Sequence, residues 1–189
     1  MCVIILLDYK LKLKTEQDTR KFVVDSHTWE ELTRSSREIF WKRLDGISAG
    51  MLGCAPDWRL VPMSHYADPV VGALWFITAN GTDLYDAIKS GPQDAAYVIA
   101  SSGDKLYARI EGMLEAAEDR EKLDEIWNAV ASSWFEDGKE DPDVRLLRLT
   151  ITSAEVWATD GGLGFLYEVA KSKLTGDKPD MGEHFTVTF

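Results

Sequence analysis

Alternation of apolar and polar residues divides this chain more sharply than any single motif does. The clearest case runs from Lys105 to Ala117. Leu106, Ala108, Ile110, Gly112, Leu114 and Ala116 alternate there with Tyr107, Arg109, Glu111, Met113 and Glu115. A period of two over that length predicts a strand with one buried face, and Gly112 in its middle predicts a bulge or bend. Ala73 to Thr78, ALWFIT, has no polar alternation and reads as a strand buried on both faces. Further strands are expected at Ile47–Ala55, Leu60–Tyr66, Ala95–Ser101, Arg145–Thr152 and Ala154–Ala158. The tail EHFTVTF alternates as a short final strand or extended arm.

Helical spacing marks other stretches. Trp29, Leu32, Ile39, Phe40 and Leu44 predict a helix over Ser26–Asp45, with Thr28 and Glu31 as a capping box. The Asn80-Gly81 turn leads to Thr82 as N-cap of a short helix carrying Leu84, Ala87 and Ile88. Leu123, Ile126, Trp127, Val130 and Trp134 predict one continuous helix over Asp119–Phe135, and Leu163–Leu174 predicts another. About six or seven strands in hairpin order, interrupted by short helices, predict a mainly β (α+β) fold, an antiparallel barrel with peripheral helices. The expected organisation is an N-terminal arm over 1–26, one barrel domain over 27–158, and a C-terminal helix with an extended tail over 159–189.

Composition narrows the function classes. The 189 residues are 45% hydrophobic and 28% charged, as in soluble globular proteins. A formal net charge of -11 argues against nucleic-acid partners and anionic membrane. Val3 to Leu7 is too short for a signal-peptide core, and no apolar run approaches the ~20 residues of a membrane span. The two cysteines, Cys2 and Cys54, have no CxxC spacing, so a cytoplasmic, reducing location is expected.

Candidate chemistry is sparse. His27, His65 and His184 form no metal-ligand spacing, so no metal site is expected. Ser64 and His65 are neighbours on a predicted strand and point to opposite faces, which precludes a nucleophile–base pair. The acidic run Glu136, Asp137, Glu140, Asp141 and Asp143 lacks the ligand order of a calcium loop and reads as solvated. No residue stands out as a catalytic acid, base or nucleophile.

An ordered set of short motifs carries more information: Pro62-Met63, LWFIT at Leu74–Thr78, the long strand ending near Gly112, LDEIW at Leu123–Trp127, WFEDGKEDPD at Trp134–Asp143, RLLRLT at Arg145–Thr150 and AEVW at Ala154–Trp157. In this order they resemble the pyridoxamine 5'-phosphate oxidase superfamily and, within it, the bacterial general stress protein branch. The resemblance implies a split β-barrel that forms a homodimer, with FMN in clefts at the subunit interface. It implies flavin contacts at Val61, Pro62, Met63 and Ser64, at Ile77 and Thr78, at Thr82, Asp83 and Leu84, and at Tyr107. Several of these positions depart from the family pattern. Val61 stands where the family commonly has arginine, Asp83 and Leu84 stand where the oxidase has two cations for the FMN phosphate, and Tyr107 stands for a glutamine. Arg59, Lys105 and Arg109 are the nearby cations that could compensate. The oxidase's substrate contacts fall on Tyr66, Glu125, Ala129 and Ser133, and only the serine is retained, which argues against pyridoxamine 5'-phosphate oxidation.

The resemblance therefore implies an FMN-binding general stress-type protein with a redox role carried by the flavin. Two alternatives stand beside it. One is a non-enzymatic split-barrel homodimer that has lost the phosphate site and binds another ligand or none. The other is a related cofactor such as deazaflavin or haem, for which His65 would be the axial ligand.

Overall fold

The computed structural model describes residues 26–158 and 183–189. The helix expected at Leu163–Leu174, and the N-terminal arm apart from Ser26, lie outside the described residues. Among the described residues eight strands form one antiparallel sheet: β1 (Ala49–Cys54), β2 (Val61–Ser64), β3 (Tyr66–Asp68), β4 (Ala73–Ala79), β5 (Gln93–Ser101), β6 (Leu106–Ala117), β7 (Val144–Ala158) and β8 (Glu183–Thr188). The helices are α1 (Ser26–Leu44), α2 (Asp83–Ile88), α3 (Arg120–Ile126) and α4 (Ala129–Ser132).

Strand order is β2-β1-β5-β6-β7-β4-β3, with β8 added on β7. The first and last strands of this path are consecutive in sequence and separated only by His65. The sheet must therefore curl until its two ends approach, which makes it a split β-barrel with peripheral helices. The single strand expected over Leu60–Tyr66 is in fact two. β2 pairs with β1, whereas β3 pairs with β4. Pro62 cannot donate to a ladder and sits on β2, at an end of the path, where a missing N–H costs least.

The alternation read in β6 is kept. Leu106, Ala108, Ile110 and Leu114 face the core, while Tyr107, Arg109 and Met113 face out. The register shifts at Glu111/Gly112, where Glu111 pairs with Ser153 and Gly112 with Ile151, leaving Thr152 as the extra residue of a bulge. Its hydroxyl donates to the Glu111 carbonyl at 3.1 Å. The two strands expected at Arg145–Thr152 and Ala154–Ala158 are thus one continuous strand that bends without breaking. β4 is buried over Ala73–Phe76, as expected for a central strand, between β3 and β7.

The main core joins Leu52, Leu74, Phe76, Tyr97, Ile110, Leu147 and Val187 with Phe40 and Leu44 of α1. Ile39, expected on the buried face of α1, stays at the surface. Phe40, Trp41 and the terminal Phe189 instead form an edge-to-face cluster with centroids 5.0 to 5.5 Å apart. Arg37 Nε donates to the Thr188 carbonyl at 2.8 Å, so α1 and β8 hold each other. A smaller cluster of Trp75, Leu123, Ile126 and Leu146 lies under α3.

The continuous helix expected over Asp119–Phe135 is also corrected. α3 ends at Ile126, its C-cap Trp127 has an extended ψ of 123°, and α4 starts afresh. Asn128 Oδ1 accepts from the Ala131 N–H at 3.0 Å, an N-cap in the middle of the apolar periodicity. Trp134, expected on the buried helix face, is 80% exposed. The acidic loop that follows is pinned to α3 through the ion pairs Arg120–Glu140 and Lys139–Asp124.

Candidate functional site

The closure of the barrel leaves a slot between β2 and β4, covered on its far side by α4 and the turn after it. Its volume is about 540 Å³. β2 contributes Pro62, Met63 and Ser64, and β4 with its following turn contributes Ile77, Thr78, Ala79 and Thr82. Tyr66, Ala49, Ala131, Trp134 and Phe135 complete the lining, which among the described residues includes no charged side chain.

Six of the ten sequence-predicted contacts therefore meet in one cavity: Pro62, Met63, Ser64, Ile77, Thr78 and Thr82. Three others, Val61, Asp83 and Leu84, line a separate hollow of about 240 Å³ together with Cys54, Asp57, Arg59 and Asp86. Tyr107 lines neither; it lies on β6, paired with Trp157 and half exposed. Sequence reasoning missed Ala49, Ala79, Ala131 and Phe135. The capping asparagine Asn128 was the signal that could have shown the α3–α4 break and brought Ala131 and Phe135 to the slot.

Hydrogen bonds fix the slot's two ends. At one end the Thr82 hydroxyl donates to the Ala79 carbonyl at 2.9 Å and caps α2 by accepting from the Tyr85 N–H at 3.4 Å. It also lies 3.2 Å from the Thr78 hydroxyl. At the other end Asn128 Nδ2 donates to the Tyr66 hydroxyl at 2.7 Å. Behind β2, the buried Tyr97 hydroxyl donates to the Met63 carbonyl at 2.9 Å and is hydrogen-bonded to His65 Nδ1 at 2.9 Å. Gly50 is required here, because a Cβ would lie 2.7 Å from the Tyr97 ring and from the Val98 carbonyl. Ser64 and His65 do diverge: Ser64 faces the slot, and His65 is 7% exposed against Tyr97.

Tyr66 also lines a neighbouring cavity of about 430 Å³, with His65, Trp75, Lys122, Glu125 and Trp127. Lys122 is held there between Asp68 at 2.9 Å and Glu125 at 2.7 Å. These bonds, Glu125 first, raise the Lys122 ammonium, and the Lys122 bond lowers the Asp68 carboxyl. Glu125 stands where the oxidase has a substrate contact, and here it is engaged by this lysine. Burial lowers His65 to about 4, partly offset by its hydrogen bond to the Leu44 backbone. His65 opens on this second cavity and not on the uncharged slot. Burial also raises the Cys54 thiol. Among the described residues no group of side chains could hold a metal ion, and no helix is long and apolar enough to cross a membrane.

The slot's lining is mostly apolar, with the hydroxyls of Ser64, Tyr66, Thr78 and Thr82 as its polar side-chain groups. Among the described residues, the slot's lining offers no cation for a terminal phosphate. Arg59, the nearest compensating candidate, is ion-paired with Asp83, and Arg109 is ion-paired with Glu111. Lys105 sits at a positive φ of 58° in the β5–β6 turn, and its carbonyl accepts from Arg43.

Comparison with known proteins agrees with this architecture. Residues 35–180 match the family model described as pyridoxamine 5'-phosphate oxidase like. A crystal structure assigned as general stress protein 26 from Jannaschia sp. CCS1 is 50% identical, with a TM-score of 0.75, covering 82% of this chain and 99% of that one. The general stress FMN/FAD binding protein from Xanthomonas citri is 30% identical, with a TM-score of 0.60, covering 68% of this chain and 92% of that one. A general stress family protein from Xanthomonas campestris is 29% identical over 68% of this chain and 90% of its own, with a TM-score of 0.60. No curated protein matches. With a family model spanning most of its length and a half-identical relative of the same fold, the chain belongs to the pyridoxamine 5'-phosphate oxidase-like family, in its general stress protein branch.

Proposed function

We propose that this chain is a flavin-binding protein with FMN as a ligand, and that the slot between β2, β4 and α4 takes the isoalloxazine ring. The observation that carries the reading is the slot itself. It is uncharged, about 540 Å³ in volume, and lined by six positions where the family resemblance implies flavin contacts. Ligand sites of this kind combine apolar walls with a few placed polar groups. Met63, Ile77, Trp134 and Phe135 supply the walls, and the hydroxyls of Ser64 and Tyr66 supply polar groups. The Xanthomonas citri relative, described as binding FMN/FAD, supports the same assignment. A bound flavin would supply the electron chemistry, while this chain orients the ring and keeps water from its faces.

The test is a visible spectrum of the purified protein followed by an FMN titration. Binding in the micromolar range is expected. No flavin absorbance and no binding at tens of micromolar would sink the reading. Trp134 at 80% exposure is poorly placed for core packing and well placed to cover a ring. Trp134→Ala is expected to weaken FMN binding by about fivefold to tenfold, the value of one aromatic contact. Trp134→Phe is expected to retain most of the affinity, and unchanged affinity in Trp134→Ala would remove this residue from the site.

The reading also includes a homodimer with the slot at its interface. Val70, 94% exposed, and the exposed Val71, Trp58 and Leu60 are large apolar side chains that a second copy would cover. Sedimentation at micromolar concentration is expected to return twice the chain mass; a monomer would contradict this part.

A further inference from the structure

We infer, resting on the flavin reading above, that this site selects the ring and its uncharged side chain and gains little from a terminal phosphate, so that riboflavin binds about as well as FMN. The first ground is a count of protons. The Thr82 hydroxyl has one proton and gives it to the Ala79 carbonyl. The Thr78 hydroxyl, 3.2 Å away, must then be the donor between the two threonines, and its proton is spent on Thr82. The Thr82 oxygen accepts from Thr78 and from the Tyr85 N–H, so both lone pairs are used. The two hydroxyls at this end of the slot have no proton left for a phosphate oxygen.

The second ground is charge. A phosphate monoester carries about -1.5 to -2 at neutral pH and needs cations or free donors. The hollow beyond Thr82 holds three carboxylates, Asp57, Asp83 and Asp86, against one guanidinium, Arg59. That guanidinium is ion-paired with Asp83, while Asp57 accepts from the Arg59 main-chain N–H at 2.9 Å. The other cations flanking α2 are engaged as well. Lys89 is 3.0 Å from Asp86. Arg145 donates to the carbonyls of Pro142 and Val144 and lies 5.1 Å from the centre of the Tyr85 ring. Asp83 and Asp86 also occupy the first turn of α2, so the positive end of its backbone dipole already faces carboxylates. An incoming phosphate would have to displace a carboxylate from Arg59 and from Lys89, and main-chain carbonyls from Arg145.

The experiment is a parallel titration of the flavin-stripped full chain with riboflavin and with FMN, read by flavin fluorescence and repeated at low and high salt. Two charge-assisted bonds to a phosphate would give FMN an advantage of about a hundredfold, eroded by salt. The expected result is a difference below about tenfold, insensitive to salt. An FMN preference of about tenfold or more that falls with salt would overturn the inference, because it requires a phosphate clamp. Failure of both ligands to bind would instead overturn the flavin reading and the inference with it. A second variant probes the same point from the other side. Asp83→Asn releases Arg59 and is expected to move the affinity ratio toward FMN by up to about fivefold, the value of an exposed charge. A ratio that does not move would show that Arg59 is not what Asp83 withholds, and would overturn the charge argument.

Discussion

Gly112→Ala is expected to destabilise the protein by about 3 kcal/mol, the upper part of the range for overpacked sites. A Cβ at this position would collide with the Thr150 carbonyl and come within 3.0 Å of the Ile151 Cα. All of these neighbours are backbone atoms of β7, so no side chain can swing away to relieve the contact. The position is also where the bulge lets β6 and β7 change register. Relief would require pulling the strands apart where Ile151 N–H reaches the Gly72 carbonyl at 3.0 Å and Phe189 N–H reaches Thr152 at 3.1 Å. Both the β3–β4 turn and the C-terminal strand would therefore loosen together. For a chain of this size the loss corresponds to a fall in melting temperature of about 6–12 °C. Gly103→Ala is the control, since nothing lies within 4 Å of its added carbon. If Gly112→Ala melted together with the wild type and the control, the close approach would have no energetic content.

Acid should cost nearly as much through a single residue. His65 is buried, and its folded-state pKa is lowered from 6.5 to about 4 by that burial. The unfolded chain therefore binds a proton at a pH where the folded chain does not. The stabilisation by neutral His65 is complete above pH 6.5, declines as pH falls, and is gone below about 4. At about 1.4 kcal/mol per unit, the shift amounts to roughly 3 kcal/mol. Urea unfolding of the wild type and of His65→Gln between pH 7.5 and 4 separates this contribution from the titration of the surface carboxylates. The wild type is expected to lose roughly 3 kcal/mol more than the variant across that window. Equal pH slopes in the two proteins would show that His65 is not the group that couples folding to pH. The consequence reaches the slot, because His65 is bonded to Tyr97 and Tyr97 holds the Met63 carbonyl of β2.

Most elements were legible in the sequence because burial writes a period into it. The alternation in β6, the unbroken apolar run of β4 and the Asn80-Gly81-Thr82 turn and cap each lie where the pattern placed them. The errors share one cause, which is that periodicity reports which residues are buried and not which partner buries them. His65 is apolar enough in its setting to continue a strand, yet the chain changes partner there, from β1 to β4. Asn128 falls inside a helical apolar stripe, yet its side chain caps a new helix. Thr152 interrupts the alternation of β7 as a turn would, yet the strand absorbs it as a bulge opposite Gly112.

The candidate site divides along the same line. Six residues of the slot were named through the family resemblance, because Pro62-Met63 and Ile77-Thr78 are local motifs whose neighbours along the chain travel with them. Whether a charge near them is available could not be read there. Arg59 and Asp83 are both visible in the sequence, but only the fold pairs them, and only the fold spends the protons of Thr78 and Thr82 within the protein. By itself the sequence determined where most strands lie, the family and half of the slot's lining, since these rest on local pattern and on burial. The tertiary structure alone decided how the two ends of the sheet meet and which charges are neutralised, because pairing across many residues depends on distance in space and leaves no period along the chain.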